Sequence, residues 1–111
     1  MSRDLYNIIE VTDVRGILVV CEKQVWDKHI ILLHPDVKEE EVETAIKAPE
    51  IIYQSAEDKK RDVYFGKMDD NKYMKVIVEI STPNYGEIVT AFPRKDISGN
   101  IDTKVIKYVK S

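Results

Sequence analysis

The chain has few of the features that stabilise small secreted proteins or anchor membrane proteins. It contains one cysteine, Cys21, which excludes an internal disulfide, and no Cys and His residues have the spacing of a zinc site. No apolar run approaches the roughly 20 residues of a membrane-spanning helix. The first residues lack the basic and apolar regions of a signal peptide. We therefore expect a cytoplasmic protein without a membrane partner, in which Cys21 is a buried thiol.

An excess of positive charge is also missing. The 17 Lys and Arg residues are outnumbered by 20 Asp and Glu, and the net charge of -3 argues against a generally basic nucleic-acid-binding surface. The charge is uneven, because residues 36–43 include five acidic residues and one Lys, whereas residues 94–111 include five basic residues and two Asp. This asymmetry allows one local basic face. The length of 111 residues predicts a single globular domain, 1–111.

Common catalytic motifs are absent as well. There is no Gly-rich phosphate loop and no Ser in a nucleophile elbow. The two histidines, His29 and His34, are five positions apart. That spacing is about 140° around a helix, so they do not form the one-face pair of helical zinc sites. The sequence predicts neither a metal nor a cofactor.

The stretch 26–35 contains the single Trp and both histidines, and its apolar residues have helical spacing. The stripe consists of Val25, Trp26, Ile30 and Leu33. It predicts a first helix over 23–33, and Pro35 cannot continue it. A second helix is predicted to begin at Asp36, with Glu39 in a capping-box position, and to end at Pro49.

The remaining segments alternate with a period of two or form short β-branched runs. Predicted strands are 5–11, 17–21, 50–55, 61–67, 73–81, 87–92 and, weakly, an edge strand at 105–109. We expect a turn at 69–71 and a strand end at Pro93, with Ile88, Thr90 and Phe92 on one face of the preceding strand. This order predicts an α+β fold, with two helices from the N-terminal half packed on one face of a mostly antiparallel four- to five-stranded sheet.

Six polar residues could support chemistry, and each also has a structural interpretation. His29, at the edge of the apolar stripe, either fills a gap in the core or opens into a cleft, and the pattern alone favours the core. The other five have these structural interpretations: His34 closes the helix, Ser55 satisfies backbone groups at a strand end, Arg61 belongs to a solvated run, Tyr64 is core and Thr90 is a strand former.

The order of several short motifs resembles a known family. The motifs are Arg15-Gly16 before an apolar strand, Trp26-x-x-His29-Ile30, His34-Pro35, Pro49-x-Ile51 with Ser55, Arg61-x-x-Tyr64 and Thr90-Ala91. They are similar to those of the phage-associated Barnase–EndoU–colicin–RelE-like (BECR fold) nucleases. That group occurs in phage-encoded and polymorphic toxins and as small standalone proteins. The resemblance covers residues 13–95.

The resemblance implies metal-independent cleavage of RNA, in which the 2′-hydroxyl attacks the adjacent phosphate. His29 would be the principal acid and base, Arg61 would clamp the phosphate, and Thr90 and Tyr64 would orient it. His34 would be a second proton carrier. Ser55, Arg94 and Lys95 would contact the substrate. The implied partners are RNA, as tRNA or another structured RNA, and an inhibitor or immunity protein.

A second class of function remains open, a non-catalytic binding module that retains the fold and the cleft for a protein or nucleic-acid partner. Phe92 stands where relatives often have Tyr and offers no hydroxyl, and the chain is acidic overall. The parity of strand 61–67 also places Arg61 and Tyr64 on opposite faces unless a bulge intervenes. The missing hydroxyl and the acidic charge favour the module, while the strand parity argues against one site that holds both Arg61 and Tyr64.

Overall fold

A computed structural model describes residues 6–69 and 71–111 and shows an α+β chain. The elements are β1 (Asn7–Thr12), β2 (Leu18–Glu22), α1 (Lys23–Val25), a π-helical turn (Trp26–Ile30), α2 (Glu39–Lys47), β3 (Ile51–Ser55), β4 (Arg61–Asp69), β5 (Lys72–Thr82), β6 (Tyr85–Arg94) and β7 (Ile101–Val109). Residue 5 of the first predicted strand and residue 70 of the predicted turn lie outside the described residues. No helix within the described residues is long and apolar enough to cross a membrane.

The strands form one mixed sheet in the order β1-β2-β6-β5-β4-β3-β7. All neighbouring pairs are antiparallel except β2 and β6, which run parallel over three residue pairs, from Leu18 with Tyr85 to Val20 with Glu87. The predicted four to five strands are therefore wrong, and so is the predicted pair of packed helices, because the first of them is only a three-residue α1 and a π-helical turn. The count is higher because the short parallel pairing adds the β1–β2 hairpin to the antiparallel strands, and β7 extends the other edge beside β3.

The first helical segment is shorter and wider than predicted. The Ile31 N–H donates to the carbonyl of Trp26 at 3.0 Å, a five-residue step that places both Trp26 and Ile30 in the core. Leu33, the last member of the predicted stripe, is 68% exposed. The predicted helix 23–33 is therefore wrong beyond Ile30, because the apolar contacts that would stabilise a further turn are absent there.

The second helix begins later than predicted. Its capping interaction is made by Lys38, whose backbone N–H donates to the Glu41 carboxylate at 2.9 Å, so the prediction of Asp36 as the cap is wrong. Val37 is buried in the core, which holds the chain in a turn until residue 38. The helix ends at Lys47, just before Pro49, as predicted.

One apolar cluster joins α2 and the π-helical turn to the sheet. Val42, Ala45 and Ile46 of α2 are buried with core side chains from several strands. The approach of α2 to β4 is so close that a Cβ atom on Gly66 would lie 2.5 Å from the Cα atom of Ala45. Cys21 is fully buried in the same cluster, as predicted.

Strand β6 differs from its prediction in two ways. Ile77 pairs with Thr90 but Val78 pairs with Ile88, so Val89 is an extra residue in a β-bulge. Ile88 and Ala91 are consequently the core members, and the predicted shared face of Ile88, Thr90 and Phe92 is wrong. The strand also continues through Pro93, because β2 has left β6 by this point and a missing N–H is tolerated on an unpaired edge.

Candidate functional site

His29 lies at the rim of an open cleft. The imidazole is exposed and lines a space of about 260 Å³, hereafter the His29 cleft. The other lining residues are Glu22, Val25, Glu79, Glu87, Ile88 and Val89. The interpretation of His29 as a core side chain is therefore wrong. The π-helical turn explains this position, because Trp26 and Ile30 are directed inward and His29 is left at the surface.

Thr90 is hydrogen-bonded to His29 at the edge of this cleft. Its hydroxyl donates a hydrogen bond to the main-chain carbonyl of His29 at 3.0 Å. The β-bulge at Val89 separates Thr90 from the core face, so that the hydroxyl meets the helical turn instead. Two residues of the predicted site, distant in sequence, are thus in contact through backbone and hydroxyl.

Arg61 forms an ion pair with Glu79, which lines the same cleft. It pairs with Glu79 in the β4–β5 register, and its Nε atom lies 3.2 Å from the Glu79 Oε1 atom. Asp58 is a second, longer partner at 3.8 Å. The guanidinium is partly exposed and is positioned beside the cleft rather than inside it.

Carboxylates dominate the charge of the His29 cleft. Glu22, Glu79 and Glu87 line it together with one imidazole, and Arg61 offsets only Glu79. Glu79 and Glu87 are direct cross-strand neighbours, an arrangement of like charges that costs stability. The sequence interpretation missed all three glutamates, because their meeting depends on the pairing of β6 with β5 and with β2 and not on local spacing. An imidazole among carboxylates supplies both a proton donor and a proton acceptor.

Comparison of the chain with protein-family models, with curated proteins and with solved structures finds no match. The similarity to BECR nucleases therefore depends on the motifs quoted above. Within the part of the chain that the structure describes, no three His, Cys, Asp or Glu side chains are grouped to hold a metal ion.

Tyr64 lies on the opposite face of β4 from Arg61. The β4–β5 register is regular from Arg61 to Lys67, so the two residues separate as strand parity predicts. Tyr64 is fully buried, donates a hydrogen bond to Asp13 at 2.5 Å and accepts one from Arg15 at 2.9 Å. It does not line the His29 cleft. The structure thus does not bring Tyr64 together with His29.

Tyr64 belongs to a network of buried charges. The Arg15 Nη2 atom lies 3.0 Å from a carboxylate oxygen of Asp62 and 3.1 Å from one of Asp13. Asp13 also accepts backbone N–H bonds from Arg15 and Ile17. Burial, followed by the hydrogen bond to Asp13, raises the pKa of Tyr64. Burial lowers the pKa of Arg15, but Tyr64 and Asp62 together raise it further, so Arg15 remains charged.

The other predicted site residues lie elsewhere. His34 stacks on Phe92, with ring centroids 5.4 Å apart. Ser55 is buried and accepts hydrogen bonds from the backbone N–H groups of the loop that follows, at residues 57 and 58. Arg94 donates to the Ser98 hydroxyl at 2.8 Å, while Lys95 is exposed beside it. None of these four lines the His29 cleft. Of the predicted residues, His29 lines the cleft, Thr90 bonds to its main-chain carbonyl, and Arg61 pairs with the lining residue Glu79.

Proposed function

We propose that this chain is a metal-independent endoribonuclease-like domain of the BECR type, related to toxins, with its active site in the His29 cleft. One observation carries the proposal. Three distant segments are connected at this cleft, because His29 lines it, the Thr90 hydroxyl donates to the His29 carbonyl, and Arg61 pairs with the lining residue Glu79. RNA, as tRNA or another structured RNA, would be the substrate, and an inhibitor or immunity protein would be a further partner.

The residues at the cleft supply each part of such a reaction. A carboxylate of Glu79 or Glu87 removes the proton from the 2′-hydroxyl, whose oxygen forms a bond to phosphorus. The bond from phosphorus to the 5′-oxygen breaks, and His29 donates a proton to that leaving oxygen. The products carry a 2′,3′-cyclic phosphate and a 5′-hydroxyl. Tyr64 has no part in this scheme.

Two further residues contribute to the reaction, Thr90 by positioning His29 and Arg61 by contacting the phosphate. Thr90 bonds to the backbone of His29 and thereby fixes the position from which the His29 side chain extends. Arg61 contacts the phosphate oxygens by exchanging its exposed partner Glu79 for the substrate. This exchange also leaves the Glu79 carboxylate available as a base.

A non-catalytic binding module is the second candidate. The specific observation in its favour is the set of three carboxylates, Glu22, Glu79 and Glu87, which repel a phosphate backbone and attract a basic partner. Phe92, with no hydroxyl and its ring stacked on His34, agrees with this alternative.

One assay separates the two candidates. Purified protein is incubated with total RNA and with tRNA in EDTA, and the RNA ends are analysed for cyclic phosphate. We expect cleavage by the wild type and by the matched variant His34→Ala, and none by His29→Ala. If the RNA stays intact at high protein concentration while the protein still binds a basic partner, the binding module is supported instead. Growth arrest on expression that His29→Ala relieves is a second, cellular readout.

A further inference from the structure

A second cleft lies apart from His29, on the α2 face of the sheet. It is bounded by the β1–β2 turn, the loop before β4, the β5–β6 turn and β7, and its volume is about 480 Å³. We call it the Arg15 cleft. Its polar lining residues include Arg15, Lys59, Lys60, Ser81, Thr82 and Lys107. The volume is in the range of small-molecule binding sites.

The charge of the Arg15 cleft is opposite to that of the whole chain. Arg15, Lys59, Lys60 and Lys107 give four positive charges, against a single lining carboxylate, Asp62. That carboxylate is buried, lies 3.0 Å from Arg15 and 3.8 Å from Lys107, and is therefore neutralised. Even with the buried Asp13 included, the cleft retains two positive charges on a protein of net charge -3. A concave surface of one sign concentrates ligands of the other sign.

Arg15 is held rigidly at the base of this cleft. Its contacts with Asp13, Asp62 and Tyr64 are made through Nε and Nη2. The side chain is 22% exposed, and these contacts leave the hydrogens of Nη1 unused. A guanidinium that is already ordered loses little conformational entropy when it binds an anion, and its planar fork suits phosphate oxygens.

We propose that the Arg15 cleft binds a phosphate group, carried either by a free nucleotide or by the backbone of an RNA. Arg15 provides the fixed donor, Lys59, Lys60 and Lys107 provide mobile positive charge, and the hydroxyls of the β5–β6 turn provide neutral donors. The cleft shares no lining residue with the His29 cleft. The proposal therefore does not depend on catalysis at His29.

Binding is tested with ligands that cannot be cleaved. Inorganic phosphate, a 5′-mononucleotide and a 2′-O-methyl oligoribonucleotide are titrated separately, with amide shifts and calorimetry as readouts. The test variant is Lys59→Gln/Lys60→Gln. The matched control is Lys47→Gln/Lys67→Gln, which removes the same charge from exposed positions outside the cleft. Arg15→Lys, which keeps the charge but loses the fork, is a third variant.

We expect the cleft variant to bind about tenfold more weakly than the wild type, since it loses charge-assisted contacts to phosphate, and the control to bind nearly as the wild type does. Saturable binding of the mononucleotide identifies a free nucleotide as the source. Binding of the oligonucleotide alone, falling with salt, identifies the RNA backbone.

Equal affinities of the cleft and control variants, or no binding of any of the three ligands, would overturn the proposal. The charges of Lys59 and Lys60 are removed from exposed side chains, so the test stands even where Arg15→Lys does not fold. Because none of the ligands can be cleaved, the binding result does not depend on whether the protein is a nuclease. Binding with no RNase activity removes that proposal alone, and RNase activity without cleft-dependent binding removes this one alone.

Discussion

The Thr90 hydroxyl donates a hydrogen bond to the main-chain carbonyl of His29, joining β6 to the π-helical turn across 61 positions of sequence. Two local irregularities make this contact, the bulge at Val89 and the five-residue backbone step from Trp26 to Ile31. Bulges and π-helical turns concentrate at functional sites because they redirect side chains. Substitutions at Thr90 can therefore show whether this contact affects the stability of the fold, the proposed activity, or both.

Thr90→Val removes the donor but keeps the shape of the side chain. We expect the free energy of unfolding to fall by about 0.5 to 1 kcal/mol, the net value of a partly exposed hydrogen bond. RNA cleavage should fall as well, and by more than the small change in the folded fraction would cause, because the backbone that carries the imidazole loses its anchor. Thr90→Ser, which retains the hydroxyl, should restore both quantities. Equal cleavage by the valine and serine variants would show that the bond has no role in positioning.

The parts of the fold that depend on local pattern were predictable. Alternation correctly predicted strand β5, whose residues Met74, Val76 and Val78 lie in the core, and the weak alternation at 105–109 correctly predicted an edge strand. Proline correctly marked the end of α2. Strand parity correctly separated Arg61 from Tyr64. In each case the decisive interaction lies within a few residues of the pattern.

The features that depend on distant partners were not predictable. The parallel pairing of β2 with β6 spans three residues and has no local marker. The bulge at Val89 inverted the expected faces of β6, and the glutamates of the His29 cleft meet only through that register. Of the candidate site, the sequence supplied His29, Thr90 and Arg61 through a resemblance, while Glu22, Glu79 and Glu87 were revealed only by the packing.

Tyr64→Phe tests the assignment of this residue to the buried network. Removal of the hydroxyl leaves Asp13 and Arg15 each without one buried partner, so we expect unfolding to become easier by about 1–3 kcal/mol. Tyr53→Phe is the matched control, since the Tyr53 hydroxyl bonds to no group in the described ranges. Denaturant unfolding measures both. RNA cleavage by folded Tyr64→Phe should equal that of the wild type, and a selective loss of cleavage would return Tyr64 to the active site.

Gly66→Ala tests the close contact of α2 with β4. The new Cβ atom would lie 2.5 Å from the Cα atom and 2.6 Å from the Cβ atom of Ala45. Because backbone must move to relieve this overlap, we expect a loss of about 1–3 kcal/mol or more in unfolding free energy. Gly16→Ala is the comparison, since its position has open space and only a positive φ of 92° to oppose it. A Gly66→Ala variant as stable as the wild type would contradict this packing.

Cys21 should be chemically inert in the folded protein. Burial, with smaller effects of Glu22 and Glu39, raises the pKa of its thiol to about 12. Since the thiolate is the reactive form, the native chain should react with a thiol reagent at about pH 8 many times more slowly than the chain in guanidinium chloride. The measurement is the ratio of the two labelling rates. Comparable rates would place the thiol at an accessible position.

Lys75 should make stability depend on pH in the alkaline range. Its side chain is 2% exposed, and its ammonium group donates to the carbonyls of Ser98 and Gly99, which lie on the segment that connects β6 to β7. Burial, followed by the charge of Arg94, lowers its pKa below the ordinary value of 10.5. The native state therefore releases this proton at a lower pH than the unfolded state does.

The sign of the effect follows from the proton count. Between the lowered native pKa and 10.5 the unfolded chain holds one more proton at Lys75, so the free energy of unfolding rises with pH in that window. Lys75→Met has no such proton, and all other titrating groups are shared by the two proteins. Denaturant unfolding of both at successive pH values should give a difference that changes in favour of the wild type as pH rises towards 10.5. A difference that stays constant, or that shifts towards Lys75→Met, would mean that the ammonium is solvated in the native state.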